Sequence, residues 1–390
     1  MLRKLSIAVL CFLKTDFGIA LVITIIWKFV MLGIGYFVDN AVNTNITFLS
    51  HTVGWDSNWY INIVHDHYTT NGPSAVFYPL FPFLVGLVQL ISFTVFDPIM
   101  SAQVINTIAV WLTLTALFKI GKILLDKNKS FWLIALVLSA PAAFFMHLFY
   151  SEALFMALGF WAYLFALRHR WLYMGITLAI LTATRLPAVL FIALCLLEFM
   201  RAYDWKIQHI LNKKLLYFLI APLGFIFYGI YLLIIRGDFF AMFHAYKLTS
   251  DWSYQVLDPN ILKTIGSITF EVGRATIGLR PFDNDITINH LIPLIALVIL
   301  GACSLYLIIK KRGLFLPMGI AGLISIVMFT LNSNIVSAHR YILPCLSIYF
   351  AIVLFTKVKY QSVILICVCA AGFAVQVLLF ALFVSHVFVG

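Results

Sequence analysis

The sequence predicts an all-α, polytopic membrane protein, and three observations lead to that fold class. Of its 390 residues, 63% are hydrophobic and only 11% are charged, whereas a soluble domain carries about 25% charged residues. The mean hydropathy is +1.03. The apolar residues form runs long enough to cross a hydrocarbon core about 30 Å thick, without the polar–apolar alternation of barrel strands. In lipid such runs must be helices, because every backbone polar group has to bond within its own segment.

The charges between the runs predict about eleven crossings, with the N-terminus in the cytoplasm. The clearest runs are residues 17–38, 131–148, 215–235, 289–309 and 361–384. Arg3, Lys4 and Lys14 precede the first run. The loop 39–77 that follows it has no lysine or arginine and is therefore expected to face the non-cytoplasmic side. The same rule predicts that the segment 237–288 and the C-terminus also lie outside.

Two apolar stretches, 78–96 and 101–118, lie between this outer loop and the lysines within 119–129. Two full crossings would put those lysines outside, so one stretch is predicted not to cross. The stretch 78–96 carries Pro79 and Pro82 and is expected to be interfacial or re-entrant.

The net charge of +11 does not indicate nucleic acid as a partner. The basic residues form short clusters between the apolar runs, with no basic stripe interleaved with stacking aromatics. Such clusters are typical of residues that orient a protein in membrane lipid. The 6 cysteines are scattered through apolar segments and have neither metal-ligand spacing nor a disulfide pattern.

Asp56 is the first candidate for chemistry on the outer side. Trp55, Trp59 and Ile63 recur at helical spacing, which predicts a short amphipathic helix lying on the membrane. Asp56 falls in the first turn of that helix, where the helix dipole favours an ionised carboxylate. It is either a first-turn cap or a carboxylate base held at the interface.

Glu152, Arg185 and Arg340 are predicted to share the outer side with Asp56. Glu152 lies where one apolar run ends and the next begins, a depth at which acids are costly and usually functional. Arg185 is expected at the outer tip of a helical hairpin, and Arg340 at the outer start of the penultimate span. A guanidinium there suits a phosphate. The alternatives are a helix cap for the glutamate, and snorkelling or pairing with an acid for the arginines.

The sequence does not decide whether the outer site binds a metal ion. His65 and His67 are two positions apart and would lie on different helix faces, so they are not expected to hold an ion. A divalent cation between Asp56 and Glu152 is the alternative cofactor. Lys28 lies in the middle of the first span and is expected to belong to a buried structural pair.

The outer segment 237–288 is rich in aromatic residues. Phe239, Phe240, Phe243 and Tyr246 recur at helical spacing, which predicts an interfacial helix packed on lipid or on the bundle. The functional alternative is a lid over a groove for a polyprenyl chain.

Four blocks of sequence carry a family resemblance. The first runs from Trp55 to Pro82 and matches at Trp55, Asp56, Tyr60, Tyr68, Phe77, Pro79, Leu80 and Pro82. The second matches at Pro141, Ala142, Phe144, Phe145, Tyr150, Ser151, Glu152, Leu154 and Phe155. The third comprises Thr184, Arg185 and Pro187, and the fourth Arg340, Tyr341, Leu343 and Pro344. Together they resemble the PIG-V family, the mannosyltransferases that add the second mannose to glycosylphosphatidylinositol, and its prokaryotic relatives. His67 stands where the family usually has glycine, and the family's glycine after the Thr-Arg pair is replaced by Val189 or a neighbour.

The resemblance implies a GT-C superfamily glycosyltransferase in which residues 1–390 form one transmembrane domain. It implies an inverting hexosyltransferase, with an outward active site in the cell membrane or, in a eukaryote, the endoplasmic reticulum. The donor would be a polyprenyl-phosphate sugar and the acceptor a glycan or glycolipid. Asp56 would be the catalytic base, and the substrate-binding residues would be Glu152, Arg185, Arg340, Trp55, Tyr60, Tyr150 and His339. The alternatives are a transporter or flippase of lipid-linked sugars and a non-catalytic assembly subunit.

Overall fold

The computed structural model describes residues 11–42, 47–68, 72–247, 260–276, 283, 286–332, 334–355 and 360–390. Within these residues the chain is helical and contains no strand. Helices of at least 10 residues are numbered in chain order: α1 Asp16–Val42, α2 Asp56–Asp66, α3 Leu80–Ile91, α4 Pro98–Leu124, α5 Lys127–Leu138, α6 Glu152–Leu167, α7 Trp171–Thr182, α8 Ala188–Ala202, α9 Leu223–Arg236, α10 Ile261–Thr276, α11 Ile292–Lys310, α12 Leu316–Thr330, α13 Leu346–Phe355 and α14 Gln361–Val384. Shorter helical turns are Ser50–Thr52, Pro73–Val76, Ala143–Met146, Ile207–Ile210, Lys213–Leu219, Ala241–His244, Ala245–Lys247, Thr287–Leu291 and Ala338–Tyr341.

Among the described residues, five helical segments are long and apolar enough to cross a membrane: Asp16–Val42, Pro98–Leu124, Lys213–Arg236, Thr287–Lys310 and Gln361–Val384. Their outward surfaces are apolar, as at Phe29, Phe37 and Ile234, which are all largely exposed. Exposed apolar side chains along a long helix are stable in lipid and unfavourable in water. The chain is therefore an integral membrane protein. The sides on which its loops lie stay a prediction.

Helix α4 lies at the centre of the bundle and packs against α1, α5 and α6. The Asp97 carboxylate starts it by accepting a hydrogen bond from Met100 N at 2.7 Å, and Pro98 occupies its first turn. Helix α6 packs in turn against α7 and α8, which form the hairpin that carries Arg185. The starts of α2 and α6 lie at the same end of the bundle, where the Tyr60 hydroxyl is 2.9 Å from Ser151 Oγ.

One of the stretches 78–96 and 101–118 was predicted not to cross the membrane. They form helices of very different length. Helix α3 has 12 residues and α4 has 27. At about 1.5 Å per residue, α3 rises roughly 18 Å, which is short of the roughly 30 Å hydrocarbon core. These lengths agree with the division in which the stretch 78–96 does not cross.

The predicted span 131–148 is wrong in its second half. Helix α5 ends at Leu138, and the chain then runs through Pro141 and a 3-10 turn to the start of α6. Proline lacks the N–H that a continuing helix needs. The segment stays buried because its carbonyls are bonded: Asn106 Nδ2 donates to Leu148 O at 2.5 Å and to Tyr150 O at 3.2 Å. Hydropathy cannot distinguish such a buried irregular segment from a span.

The predicted helix after Trp55 is confirmed, but its faces differ from the prediction. The buried face of α2 is formed by Ser57, Tyr60 and Ile63, whereas Trp55 is exposed and Trp59 is half-buried. Residues four apart drift by about 40° around a helix, so Trp55 and Ile63 lie roughly 80° apart. Trp55 therefore does not share a face with Ile63, and the half-buried Trp59 lies at the edge of the buried face.

The predicted helix over Phe239 to Tyr246 is reduced to the short turns Ala241–His244 and Ala245–Lys247. The amphipathic helix of the segment 237–288 is α10 instead. Within that segment, residues 248–259, 277–282 and 284–285 lie outside the described residues. The lid over a polyprenyl groove stays a prediction.

Candidate active site

Four charged side chains from separate parts of the chain meet at one end of the bundle. Asp56 begins α2, Glu152 begins α6, Arg185 lies in the turn between α7 and α8, and Arg340 lies in the short helix Ala338–Tyr341. The sequence predicted that these residues share one side of the membrane, and the fold joins all four through a series of ion pairs.

Arg340 joins the two acids. Its Nη1 donates to Asp56 Oδ2 at 2.8 Å, and its Nε donates to Glu152 Oε1. Arg185 Nη1 donates to the same Glu152 Oε1. One carboxylate oxygen therefore lies between two guanidinium groups, and the four charges form a neutral, connected cluster.

Burial increases from Asp56 to Arg340. The side chain of Asp56 is 25% exposed, and those of Arg185, Glu152 and Arg340 are 13%, 5% and 3% exposed. Burial acts to lower the pKa of Arg340, but the charges of Glu152 and Asp56 outweigh it and raise that pKa well above its ordinary value. Arg340 is therefore a permanent cation, and Asp56 is the acid that solvent and a ligand can reach.

A cavity of about 640 Å³ opens beside the cluster. Its charged lining residues are Asp56, Arg185 and Arg340. Its aromatic lining residues are Trp55, Trp59, Tyr60, Phe77, Tyr78, Tyr246, Phe329, Tyr341 and Phe388. Glu152 does not line it and lies behind the arginines. The cavity has the volume and the mixed polar and aromatic wall of a small-molecule site.

Tyr150 holds the backbone around Asp56. The Tyr150 hydroxyl accepts a hydrogen bond from Asp56 N at 3.3 Å and donates to Gly54 O at 3.1 Å. Its ring also lies under the Arg340 guanidinium, 4.7 Å from the centroid, as in a cation–π contact. Tyr150 does not line the cavity, so its contacts are those of a positioning residue.

Tyr60 ties α2 to the start of α6. Its hydroxyl lies 2.9 Å from Ser151 Oγ, one residue before Glu152. Burial raises the pKa of Tyr60 above its ordinary value, so the hydroxyl is neutral. Tyr60 also lines the cavity, as Trp55 does.

His339 does not line the cavity. Its Nε2 lies 2.8 Å from Val389 O. Burial lowers the pKa of His339 to about 4, and the Arg340 charge acts in the same direction, so the ring is neutral at pH 7. The predicted substrate contact of His339 stays a prediction, but its bond in this fold is to the chain itself.

A divalent cation between Asp56 and Glu152 does not fit this donor set. Arg340 lies between the two carboxylates and donates to both. Across the described ranges, no three His, Cys, Asp or Glu side chains come together as a metal site would require. Guanidinium groups here supply the positive charge that a metal would bring.

Sequence reasoning overlooked several cavity residues. Asn58, Asn62 and Asn332 line the wall, and so does Tyr246 of the segment for which a lid was the alternative. The available signal was the spacing of Asn58 and Asn62, since two amides four positions apart share one face of a helix.

Lys28 was expected to belong to a buried structural pair. Its contacts are with an amide and a histidine and not with an acid. Its Nζ donates to Gln103 Oε1 at 3.1 Å and lies 3.4 Å from His147 Nδ1. Lys28 is 6% exposed and does not line the cavity. It belongs to a second, sealed polar cluster.

The comparisons with known proteins found a likeness to a solved structure. No protein-family model matches the chain, and no curated protein matches it. The fold is similar to that of the Archaeoglobus fulgidus oligosaccharyltransferase, solved as a complex with zinc and sulfate, with a TM-score of 0.52 at 14% identity. The match covers 96% of this chain and 53% of that chain, so this chain spans about half the length of its structural neighbour. The likeness confirms the predicted GT-C-type membrane fold.

Proposed function

We propose that the chain is an inverting glycosyltransferase. It would move a sugar from a polyprenyl-phosphate donor to a glycan or glycolipid on the non-cytoplasmic face of the membrane. The sugar proposed is mannose. The observation that carries the proposal is the contact of Asp56 with Arg340, 2.8 Å long, at the wall of a cavity of about 640 Å³. A base and a permanent cation side by side are what this transfer needs.

Asp56 would act as the general base. An acceptor hydroxyl attacks the anomeric carbon, the new C–O bond forms, and the bond from that carbon to the donor phosphate oxygen breaks with inversion. The hydroxyl proton passes to the Asp56 carboxylate and then to water. An aspartate is a weak base toward an alcohol, so the proton moves late, after bond formation has acidified the hydroxyl. The leaving phosphate keeps the electron pair and needs no general acid.

The arginines would stabilise the leaving group. The phosphodiester of the donor carries one negative charge, and the released phosphate monoester gains a second. Arg185 and Arg340 each retain N–H donors beyond those bonded to the acids, because a guanidinium offers five. When Asp56 takes the proton, its pull on Arg340 weakens while the phosphate charge grows. Glu152 keeps both guanidiniums at the wall.

The sugar and donor rest on the sequence resemblance. The four blocks shared with the PIG-V family contain Asp56, Glu152, Arg185 and Arg340. These are the four residues of the ion-paired cluster, although positions 56 and 340 lie far apart in the chain. This coincidence supports a polyprenyl-phosphate mannose donor and a single catalytic domain over residues 1–390.

The transporter alternative has less support. A lipid-linked sugar moving through the bilayer would need ionisable groups along its path, and Lys28, the clear mid-span charge, is sealed beneath its own partners. The structural neighbour is a transferase by its name. Neither observation favours a flippase.

The experiment that tests the proposal is transfer by the purified protein in detergent. The donor is polyprenyl-phosphate mannose, and the acceptors are a panel of mannosides and glycolipids, with and without EDTA. We expect transfer that EDTA leaves intact and that Asp56→Ala abolishes. The matched control is Asp66→Ala, because Asp66 ends the same helix and does not line the cavity. Full turnover by a folded Asp56→Ala protein would contradict the assignment.

A further inference from the structure

One face of helix α2 forms a wall of the cavity next to the cluster. Trp55, Asn58, Trp59 and Asn62 all line the cavity. Because they are spaced by three or four positions, their side chains lie on one side of the helix. We refer to these four residues as the α2 face.

Trp55 adopts a backbone conformation that a bulky residue rarely takes. Its φ is +51°, in the left-handed region, directly before α2 begins. Such a conformation costs about 1–3 kcal/mol and tends to occur at functional sites. Trp55 is 40% exposed as a residue although it lines a cavity, and its ring packs edge-on against Phe388 at 5.2 Å. A strained residue that presents an open aromatic surface to a cavity suggests contact with a ligand.

Trp59 is held in place by a neighbouring aromatic ring. Its indole stacks on Phe77 with centroids 6.2 Å apart and an interplanar angle of 17°. The residue is half-buried and still lines the cavity. A rigid, amphipathic ring of this kind supplies contact area with little loss of side-chain entropy. The apolar C–H face of a pyranose ring is a matching surface.

Asn58 and Asn62 supply the polar half of the face. Both side chains are exposed, and neither has a hydrogen-bond partner among the residues that the structure describes. An amide both donates and accepts, as does a sugar hydroxyl. Two amides four positions apart can therefore bind neighbouring hydroxyls of one ring.

Charge in the cavity wall is confined to one group of residues. The charged lining residues are Asp56, Arg185 and Arg340, and all three belong to the ion-paired cluster. The α2 face carries no charge. An anionic group would thus bind at the arginines, whereas the α2 face suits a neutral, hydroxyl-rich ring.

We infer that the α2 face binds a neutral sugar ring of the acceptor. The ring stacks on the tryptophans, the amides bind its hydroxyls, and one hydroxyl reaches Asp56 on the same helix. The inference rests on the proposed function and names the acceptor's chemical class, a neutral carbohydrate.

A binding measurement separates this inference from the proposed function. Saturation-transfer NMR is recorded on the purified protein without donor, with manno-, gluco- and galacto-configured trisaccharides as probes. We expect saturation of ring protons for at least one trisaccharide, and a loss of most of that signal in Trp59→Leu and in Asn58→Ala/Asn62→Ala. Trisaccharide binding without any transfer activity would support the α2 face as a sugar-binding site and contradict the proposed function. Absence of binding by all three probes to the folded wild-type protein would overturn the inference.

Kinetics with a transferring acceptor give the second test. Trp59→Leu and Asn62→Ala should raise the acceptor KM about tenfold and leave kcat and the donor KM within about twofold. The control is His65→Ala, because His65 is exposed on the same helix and does not line the cavity. An unchanged acceptor KM, or a rise only for acceptors with an anionic headgroup, would contradict a neutral-sugar site.

Discussion

Two buried polar clusters lie in one bundle and differ in what surrounds them. The first, the site cluster, comprises Asp56, Glu152, Arg185 and Arg340. The second, the sealed cluster, comprises Lys28, Gln103, His147 and His51. Both draw residues from distant parts of the chain. The site cluster forms the wall of a large cavity, and the sealed cluster does not line it.

The sealed cluster is a chain of hydrogen-bonding groups. Lys28 Nζ lies 3.4 Å from His147 Nδ1, and His147 Nε2 lies 3.3 Å from His51 Nε2. Gln103 Nε2 donates to His147 O at 2.8 Å. The four side chains are at most 8% exposed. They tie α1 and α4 to the segment that precedes Glu152.

The difference shows how functional and structural charged residues in a membrane bundle can be told apart. A buried ionisable residue is usually a sign of function, yet burial is common to both clusters. What separates them is access: Asp56 is 25% exposed to a cavity, and Lys28 is 6% exposed without one. We therefore expect changes in the site cluster to remove activity, and changes in the sealed cluster to act on stability.

The largest expected effect that is confined to activity is that of Asp56→Asn. It keeps the shape of the side chain and removes the base, so kcat should fall by roughly a hundredfold or more. The melting temperature in detergent should change little, because an amide oxygen still accepts from Arg340. Transfer rates and thermal unfolding on the same preparation check this. If Asp56→Asn loses activity only to the extent that it unfolds, the site cluster acts on stability as the sealed cluster does, and the two clusters do not differ in role.

Glu152→Ala should affect both properties. It leaves two buried guanidiniums without their shared acceptor, and breaking a buried ion pair costs about 3–5 kcal/mol. We expect a clearly lower melting temperature and at least a hundredfold loss of transfer. Glu152→Gln, which still accepts a hydrogen bond, should recover part of the stability. A Glu152→Ala protein as stable as the wild type would show that the arginines do not depend on this acid.

Lys28→Met tests the sealed cluster. The substitution removes a buried charge but leaves Gln103 Oε1 and His147 Nδ1 without this donor, at about 1–3 kcal/mol for each unpaired group. The expected result is reduced thermal stability with kcat within about threefold of the wild type. If a stable Lys28→Met protein loses transfer a hundredfold, the sealed cluster takes part in function and the comparison fails.

The smallest expected effect is the dependence of stability on pH. Burial lowers the pKa of His51 to about 4; Asp39 opposes this shift and Lys28 adds to it. The unfolded chain has an ordinary histidine pKa near 6.5 and binds the proton first. Stability is therefore full above about pH 6.5 and declines as the pH falls toward 4, by about 2 kcal/mol at pH 5.

His51→Gln should flatten that decline. Thermal unfolding between pH 7.5 and 5 measures it for both proteins, with the exposed His65→Gln as the control. An identical pH profile in the wild type and His51→Gln would mean that His51 is not held neutral by the fold.

Much of the fold was predictable because it depends on local composition. The run 361–384 became α14 with the same boundaries, and α2 begins at Asp56, the predicted first-turn acid. The failure was the run 131–148, where residues buried by protein and residues facing lipid have the same hydropathy. Pro141 was the one local signal of the break, and the side chain of Asn106 that stabilises it comes from another helix.

The sequence by itself determined that the chain is a helical membrane protein and which acids and arginines were candidates for a shared site. Run length, charge distribution and residue type suffice, because lipid imposes the same demand on every segment. Only the tertiary structure decided the rest. It set Arg340 between Asp56 and Glu152, turned Trp55 and Asn62 toward the cavity, and sealed Lys28 away from it. Those outcomes depend on the rotation and packing of helices distant in sequence, which periodicity does not encode.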